Sequence, residues 1–199
     1  MTRPVDLVPV LPIAIAAVGL AGRALLDFRE REGQLRRLAA IDELTRTANR
    51  RFFFEQVDRE VARAVRYGRP LSVVVFELEG MRAINERFGY TAGDRALREA
   101  ALTLRAALRT HDLVGRYGDT AFALLLPETD REGAAVVVHR CLDRLRALAL
   151  PEDPHREATL DARVGAATFP KDGISNADQL VRAADAAKNR SPNESASAA

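Results

Sequence analysis

The chain has 199 residues, of which 47% are hydrophobic and 29% are charged, and its formal net charge is +2. This length suits one domain plus an extension, and the hydrophobic content excludes a largely disordered protein. The net charge is too small to argue for nucleic acid and the arginines form no dense block, so we expect no nucleic-acid partner. The single cysteine, Cys141, excludes an internal disulfide and a cysteine-based zinc site, and the three histidines lack metal-ligand spacing.

The first 26 residues differ in composition from the rest of the chain. Residues 7–22 carry no charge, and with Arg23 extended toward the lipid headgroups the stretch up to residue 26 is long enough to span a bilayer. Four arginines follow this stretch closely, whereas only Arg3 precedes it. This excess of arginines after the uncharged stretch predicts a single membrane anchor over residues 1–26, with the remaining chain in the cytoplasm. A buried helix, a partner-binding helix and a cleaved signal peptide are the alternatives.

Residues 27–40 are polar and favour a helix, which predicts a helical linker, either a short coiled-coil seam or a plain connector. From residue 41 onward, segments with helical and strand periodicity alternate. They predict, in chain order, a helix over 49–68, a strand over 71–79, a helix over 93–109, a hairpin of strands at 113–117 and 121–127, a helix over 130–150, a strand over 158–170 and a helix over 175–188 with Ser175 as its N-cap. The pattern indicates an α/β or α+β sandwich around a central sheet, followed by a disordered tail over 191–199.

Three segments of this body are more specific. They read DELTRTANRR at 42–51, FELEGMRAINERFGYTAGD at 76–94 and RTHDLVGRYGDTAF at 109–122. In order and spacing they resemble the D-x-L-T-G-L-x-N-R-R opening, the D-x-D-x-F-K-x-x-N-D-x-x-G-H-x-x-G-D segment and the R-x-x-D-x-x-x-R-[YL]-G-G-D-E-F signature of the GGDEF family, the diguanylate cyclases. Residues 41–190 are therefore identified as a degenerate member of this family.

The resemblance implies a fold like a polymerase palm, with a central, mainly antiparallel sheet surrounded by helices. It also implies a bacterial protein whose relatives join two GTP molecules into cyclic di-GMP, each domain of a homodimer presenting one GTP. That reaction uses divalent metals, which carboxylates of the first strand and of the signature turn bind in this family. In a bacterial cell the N-terminal anchor would lie in the inner membrane; without it, the protein would be cytoplasmic.

The signature positions predict that this chemistry is lost. Gly118 and Phe122 match the family, but Asp119, Thr120 and Ala121 stand where the family has a glycine and two acids. A threonine hydroxyl lacks the charge of the metal-binding acid that it replaces. Asp119 does not restore that acid, because one step along a strand turns a side chain to the opposite face.

The other active-site positions also predict that catalysis is lost. Glu77 and Glu79 stand where the family's first strand has aspartates, and the longer side chain misplaces a metal ligand. In the segment ADAAKNR, the phosphate-contacting lysine of the family's last helix is absent or displaced. We therefore expect no catalysis, no bound metal and no resident cofactor.

Asn85 and Asp94 match the guanine-contacting pair of the family; the alternative is that both residues cap helices.

Arg109 and Asp112 preserve the R-x-x-D motif, which in the family forms the inhibitory site for the product, cyclic di-GMP. Arg140 stands at the helix position that completes this site in the family, often across to a second domain, and Arg116 adds positive charge. Arginine pairs with phosphate and stacks on guanine, while a carboxylate accepts guanine N–H groups. The resemblance thus implies cyclic di-GMP binding, with a surface ion pair between Arg109 and Asp112 as the alternative.

Three functions are compatible with these residues. The first is a membrane-anchored, catalytically inactive GGDEF-like domain that binds cyclic di-GMP. The second is a protein-interaction or dimerisation platform that binds no nucleotide and has an unknown protein partner. The third is a weak cyclase or GTP hydrolase that uses Glu77 and Asp119. The motif at 109–112 distinguishes the first two, and the signature at 118–122 argues against the third.

Overall fold

The structure is a computed structural model that describes residue 23 and residues 40–149, 160–170 and 174–188. Apart from Arg23 and Ala40, the predicted anchor, linker and tail lie outside the described residues. None of the helices in the described ranges combines the length and the apolar character that a membrane crossing needs. The described residues from 40 onward belong to one compact unit.

This unit alternates helices and strands largely as the sequence predicts. Its elements are α1 (Arg50–Tyr67), β1 (Leu71–Glu79), α2 (Met81–Phe88), α3 (Tyr90–Ala106), β2 (Leu113–Arg116), β3 (Ala121–Pro127), α4 (Arg131–Arg146), β4 (Asp161–Phe169) and α5 (Ala177–Lys188). The strands form one sheet in the order β2-β3-β1-β4, and every neighbouring pair is antiparallel. The predicted sandwich around a mainly antiparallel sheet is confirmed, and β1 is a central strand because its apolar run has both faces covered.

Helices cover both faces of the sheet. On one face, α2, α3 and α4 pack on Val74, Phe76 and the even-numbered residues of β3. On the other face, α1 and α5 pack on Val73, Val75 and the odd-numbered residues of β3. Because side chains alternate along a strand, Glu77 projects on the same face as Val73 and Val75, toward the layer that contains α5.

Two helix starts differ from the sequence predictions. Helix α3 begins at Tyr90 instead of residue 93, because Gly89, with φ of 83°, turns the chain directly from α2 into α3. Helix α5 takes Asn176 as its N-cap: the Asn176 side chain accepts a hydrogen bond from the Gln179 amide at 2.9 Å. Ser175 instead bonds to the side chain of Gln179.

Candidate functional site

The signature segment forms the tight turn between β2 and β3. The amides of Tyr117 and Gly118 both donate to the carbonyl oxygen of Ala121, at 2.9 and 3.1 Å. The Leu78 amide donates to the carbonyl oxygen of Thr120 at 2.9 Å, which holds the turn against the end of β1. The methyl group of Ala121 is buried. Strand pairing therefore brings the turn and the acidic end of β1 together.

Glu77 lies at the centre of a hydrogen-bonded ion pair. Its Oε2 accepts a hydrogen bond from Nζ of Lys188, the last residue of α5, and its Oε1 accepts from Oγ1 of Thr120 at 3.2 Å. Nζ of Lys188 also lies 3.1 Å from Oδ1 of Asp185, one helical turn earlier. The Lys188 side chain is only 8% exposed. Its ammonium group is therefore enclosed between two carboxylates.

These contacts keep both partners charged. The hydrogen bond from Lys188 lowers the pKa of Glu77 and outweighs burial, which acts in the opposite direction. Burial acts to lower the pKa of Lys188, but the contacts with Glu77 and Asp185 outweigh it, so the pKa of Lys188 is raised. At neutral pH a carboxylate and an ammonium group meet at this end of β1.

The donor set at this position does not fit the divalent metal that the family implies. Both carboxylate oxygens of Glu77 already accept hydrogen bonds, and Thr120 offers only a neutral hydroxyl. Glu79 is paired with Arg163 at 3.0 Å, and Asp119 is exposed in the turn. Across the described ranges, no group of three or more His, Cys, Asp or Glu residues is arranged to bind a metal ion.

Arg116 lies in the signature turn, where its guanidinium group holds the backbone. Its Nε donates to the carbonyl oxygen of Gly118 at 2.7 Å, and Nη2 donates to that of Asp119. The guanidinium carbon lies 5.1 Å from the ring centroid of Phe122. Burial lowers the pKa of Arg116, while three nearby carboxylates oppose that shift. These contacts direct the Arg116 side chain into the hairpin, and the expectation that Arg116 adds positive charge to the R-x-x-D site stays a prediction.

The two guanine-contacting positions of the family lie where α2 meets α3. A Cβ on Gly93 would stand 1.8 Å from Oδ1 of Asn85, so glycine allows the Asn85 side chain to lie against α3. That oxygen is buried and has no hydrogen-bond partner among the described residues. The capping alternative is wrong for both residues: Gly89 bonds to the backbone oxygen of Asn85, and Asp94 lies inside α3, which begins at Tyr90.

Arg109 and Asp112 form a closed turn between α3 and β2. Oδ2 of Asp112 accepts a hydrogen bond from the backbone amide of Arg109 at 2.8 Å, and the Asp112 amide donates to the Arg109 carbonyl oxygen at 3.2 Å. The motif is therefore held through the backbone, and the side-chain ion pair between these two described residues is not formed. The Arg109 side chain extends from an exposed position.

Helix α4 brings two further arginines to this side of the fold. Nη1 of Arg144 donates to the carbonyl oxygen of Ala106, the last residue of α3, at 2.7 Å. Nε of Arg140 is buried and has no hydrogen-bond partner within the described part. Burial raises the pKa of Cys141 to about 11, while Arg140 and Arg144 act to lower it and Asp112 acts to raise it.

Sequence reasoning missed two of these residues. Arg144 follows Arg140 by four positions, a spacing that puts both on one face of a helix, and this signal could have identified it. For Lys188 the resemblance predicts only that the family lysine is absent or displaced, although the spacing of Lys188 from Asp185 indicates an ion pair within the helix. Nothing in the sequence relates Lys188 to Glu77, because only the packing of α5 on the sheet brings them together.

Comparison with known proteins identifies relatives of the whole unit. A family model described as "Diguanylate cyclase, GGDEF domain" matches residues 39–196. The chain is 31% identical over 147 residues to the diguanylate cyclase DosC of Escherichia coli (strain K12), a match that covers 74% of this chain and 32% of DosC. The chain thus spans about a third of the length of this curated relative.

The solved structures that share the fold include two with bound partners. One is the diguanylate cyclase SiaD of Pseudomonas aeruginosa in complex with its activator SiaC, with a TM-score of 0.69, 31% identity, and coverage of 89% of this chain and 67% of that one. The other is the coiled coil and GGDEF domain of DgcB from Caulobacter crescentus in complex with c-di-GMP, with a TM-score of 0.69, 25% identity, and coverage of 88% and 92%.

Proposed function

The chain belongs to the GGDEF family of cyclic di-GMP metabolism, and on this premise we propose that it is a catalytically inactive member that binds cyclic di-GMP through its R-x-x-D turn. The observation that carries the proposal is the arrangement around that turn. Asp112 is fixed by the backbone of Arg109, the Arg109 side chain extends from an exposed position, and Arg144 of α4 is hydrogen-bonded to Ala106 at the end of α3, shortly before this turn.

The chemistry of the turn suits a cyclic dinucleotide. Two phosphates and two guanines need cations that pair with phosphate oxygens and an acceptor for guanine N–H groups. Arg109, Arg140 and Arg144 supply the cations, and Asp112 supplies the acceptor. Arg140 also has a buried Nε without a partner in the described ranges, which a ligand oxygen would satisfy. The relative DgcB has been solved in complex with c-di-GMP.

The state of the signature site supports the loss of cyclase activity. Metal-assisted attack on an α-phosphate needs cations bound by several carboxylates. Here Glu77 is paired with Lys188, and Thr120 stands at the position of the metal-binding acid. At this site the described residues therefore do not provide the several free carboxylate oxygens that such a reaction uses.

We further propose that residues 1–26 anchor the chain in the inner membrane and that the domain acts in the cytoplasm. The support is the uncharged run at 7–22 and the arginines that follow it. In this arrangement cyclic di-GMP would change how the domain pairs with a second copy or with a protein partner at the membrane surface.

A nucleotide-independent interaction platform is the second candidate. Two large apolar side chains remain exposed on neighbouring helices: Leu102 of α3 is 59% exposed and Val136 of α4 is 63% exposed. The relative SiaD has been solved in complex with an activator protein. The same ligand titration separates the two functions, because a platform needs no nucleotide.

The test is calorimetric titration of the full chain, purified in a mild detergent, with cyclic di-GMP at one fixed salt concentration. Losing one charge-assisted contact costs about 1.5–3 kcal/mol, so Arg109→Ala should weaken binding by about 10- to 150-fold. Asp112→Asn keeps an oxygen that can cap the turn but removes the charge, and it should also weaken binding. Arg140→Ala should matter less in a monomer than where a second domain shares the ligand.

Two variants serve as controls for these substitutions. Arg59→Ala removes an arginine of α1 that is also exposed, and Asn85→Ala changes the separate guanine-contacting position. Both should bind cyclic di-GMP as the wild type does. Wild type that binds no cyclic di-GMP at well above micromolar concentrations, or equal affinity of wild type and Arg109→Ala, would favour the interaction platform.

A further inference from the structure

The contact between Lys188 and Glu77 stands at the position where the family's first strand binds metal. Lys188 donates to Oε2 of Glu77, and Thr120 donates to Oε1, so neither oxygen of that carboxylate is free. The ammonium group also lies 3.1 Å from Asp185. A cation that belongs to the chain itself thus pairs with both carboxylates.

The packing of α5 holds this ammonium group in place. Gly165 of β4 lies directly under the helix, where an added Cβ would be 2.1 Å from the carbonyl oxygen of Ala184 and 2.2 Å from the backbone nitrogen of Lys188. This close approach brings the end of α5 over β1, and the Lys188 side chain is enclosed with only 8% of its surface exposed. The lysine of the pair is therefore held by the packing of α5, whereas the side chains of Glu77 and Asp185 remain 30% and 37% exposed.

We propose that Lys188 is a built-in cation that takes the place of the divalent metal and makes Glu77 unavailable to metal ions. A hard divalent cation needs several free carboxylate oxygens and would have to displace the ammonium group from both carboxylates. Removing the lysine charge would leave the carboxylates of Glu77 and Asp185 facing one vacated position, with the Thr120 hydroxyl bonded to the other oxygen of Glu77. The prediction is that this loss creates a cation site.

The contact between Lys188 and Glu77 is separate from the proposed cyclic di-GMP site. The ion pair lies in the layer of α1 and α5, whereas the R-x-x-D turn lies beside α3 and α4 on the other face of the sheet. The outcome of the metal test therefore stands whether or not Arg109 binds a nucleotide.

The experiment measures Mn²⁺ binding to the full chain by electron paramagnetic resonance, with the free Mn²⁺ signal as the readout. Wild type and Glu77→Gln should bind the same small amount of Mn²⁺. Lys188→Met should bind Mn²⁺ at least about 10-fold more tightly than wild type, which corresponds to about 1.4 kcal/mol. The double variant Lys188→Met/Glu77→Gln should lose that gain.

Arg182→Met is the matched control for the removal of a cation from α5. Arg182 pairs with Asp178 at 2.7 Å, and both side chains are largely exposed, so this variant frees one surface carboxylate without creating an enclosed set of donors. It should bind no more Mn²⁺ than wild type. Lys188→Gln, which retains a hydrogen-bond donor for Glu77, is prepared in parallel because an uncompensated pair of carboxylates can destabilise Lys188→Met.

Two results would overturn the inference. One is wild-type Mn²⁺ binding that falls in Glu77→Gln, since Glu77 would then be available to metal while Lys188 is present. The other is a folded Lys188→Met or Lys188→Gln variant that binds Mn²⁺ no better than wild type. If neither lysine variant folds, the comparison of wild type with Glu77→Gln decides the question.

Discussion

Replacing Gly165 by alanine tests how closely α5 packs on the sheet. Gly165 is buried in β4, opposite Val75 of β1. The atoms that would meet the new methyl group are the carbonyl oxygen of Ala184 at 2.1 Å and the backbone nitrogen of Lys188 at 2.2 Å. Both are backbone atoms, so no side chain can rotate to make room. Helix α5 itself would have to move away from the sheet.

The energetic cost follows from this geometry. Inserting one carbon into a well-packed core costs typically about 1–3 kcal/mol, and a clash with backbone atoms places Gly165→Ala near the upper end, at about 3 kcal/mol. For a domain of this size, that loss corresponds to a fall in the melting temperature of about 6–12 °C. The movement of α5 would also lengthen the contact between Lys188 and Glu77.

The assay is thermal and urea unfolding of the full chain, followed by circular dichroism. Gly118→Ala is the control, because the nearest atom to its added Cβ is the methyl carbon of Ala121 at 3.4 Å, an ordinary contact. We expect that control to change the free energy of unfolding by less than about 1 kcal/mol. A Gly165→Ala variant as stable as wild type would refute the close packing of α5 and weaken the account of the ion pair.

The full chain should form no cyclic di-GMP from GTP with Mg²⁺ or Mn²⁺, because Thr120 and Ala121 supply no charge for a metal; product above the background of a Glu77→Ala variant would contradict this. Deleting residues 1–26 should move the protein from the membrane fraction to the supernatant, and the anchor hypothesis is wrong if both forms stay in the supernatant after high-speed centrifugation. The folded protein lowers the pKa of Glu77. The ionised Glu77 side chain therefore stabilises the fold above its pKa in the unfolded chain, about 4.3, and this stabilisation is lost as the pH falls through the pKa of Glu77 in the folded protein. Wild type should therefore lose stability in acid more steeply than Glu77→Gln, and parallel pH profiles would count against the ion pair.

Much of the fold could be predicted because its signals are local in the chain. The run at 71–79 is apolar and β-branched, and it forms β1 with the predicted bounds. Helix α1 lies within the predicted range of 49–68, because Asn49 accepts a hydrogen bond from the Phe52 amide and Gly68 adopts the left-handed conformation that ends a helix. Side-chain periodicity and capping chemistry act over a few residues, so the sequence shows them directly.

The start of α3 could not be predicted in this way. Gly93 and Asp94 have the composition of a helix start, yet Gly93 is buried inside α3, where its missing Cβ leaves space for Asn85. The need for that glycine comes from a contact between two helices. A capping rule that considers only neighbouring residues therefore places the boundary three residues too late.

The sequence by itself determined the family, the order of most elements and the identity of the residues at the signature and R-x-x-D positions. Only the tertiary structure decided what those residues contact. Glu77 and Lys188 are 111 positions apart, and they meet because α5 packs over Gly165. Arg116 turns into the hairpin because carbonyl oxygens of the turn accept its hydrogen bonds. Ion pairs and buried hydrogen bonds depend on distances of a few ångströms in space, and such distances are set by packing between elements far apart in the chain.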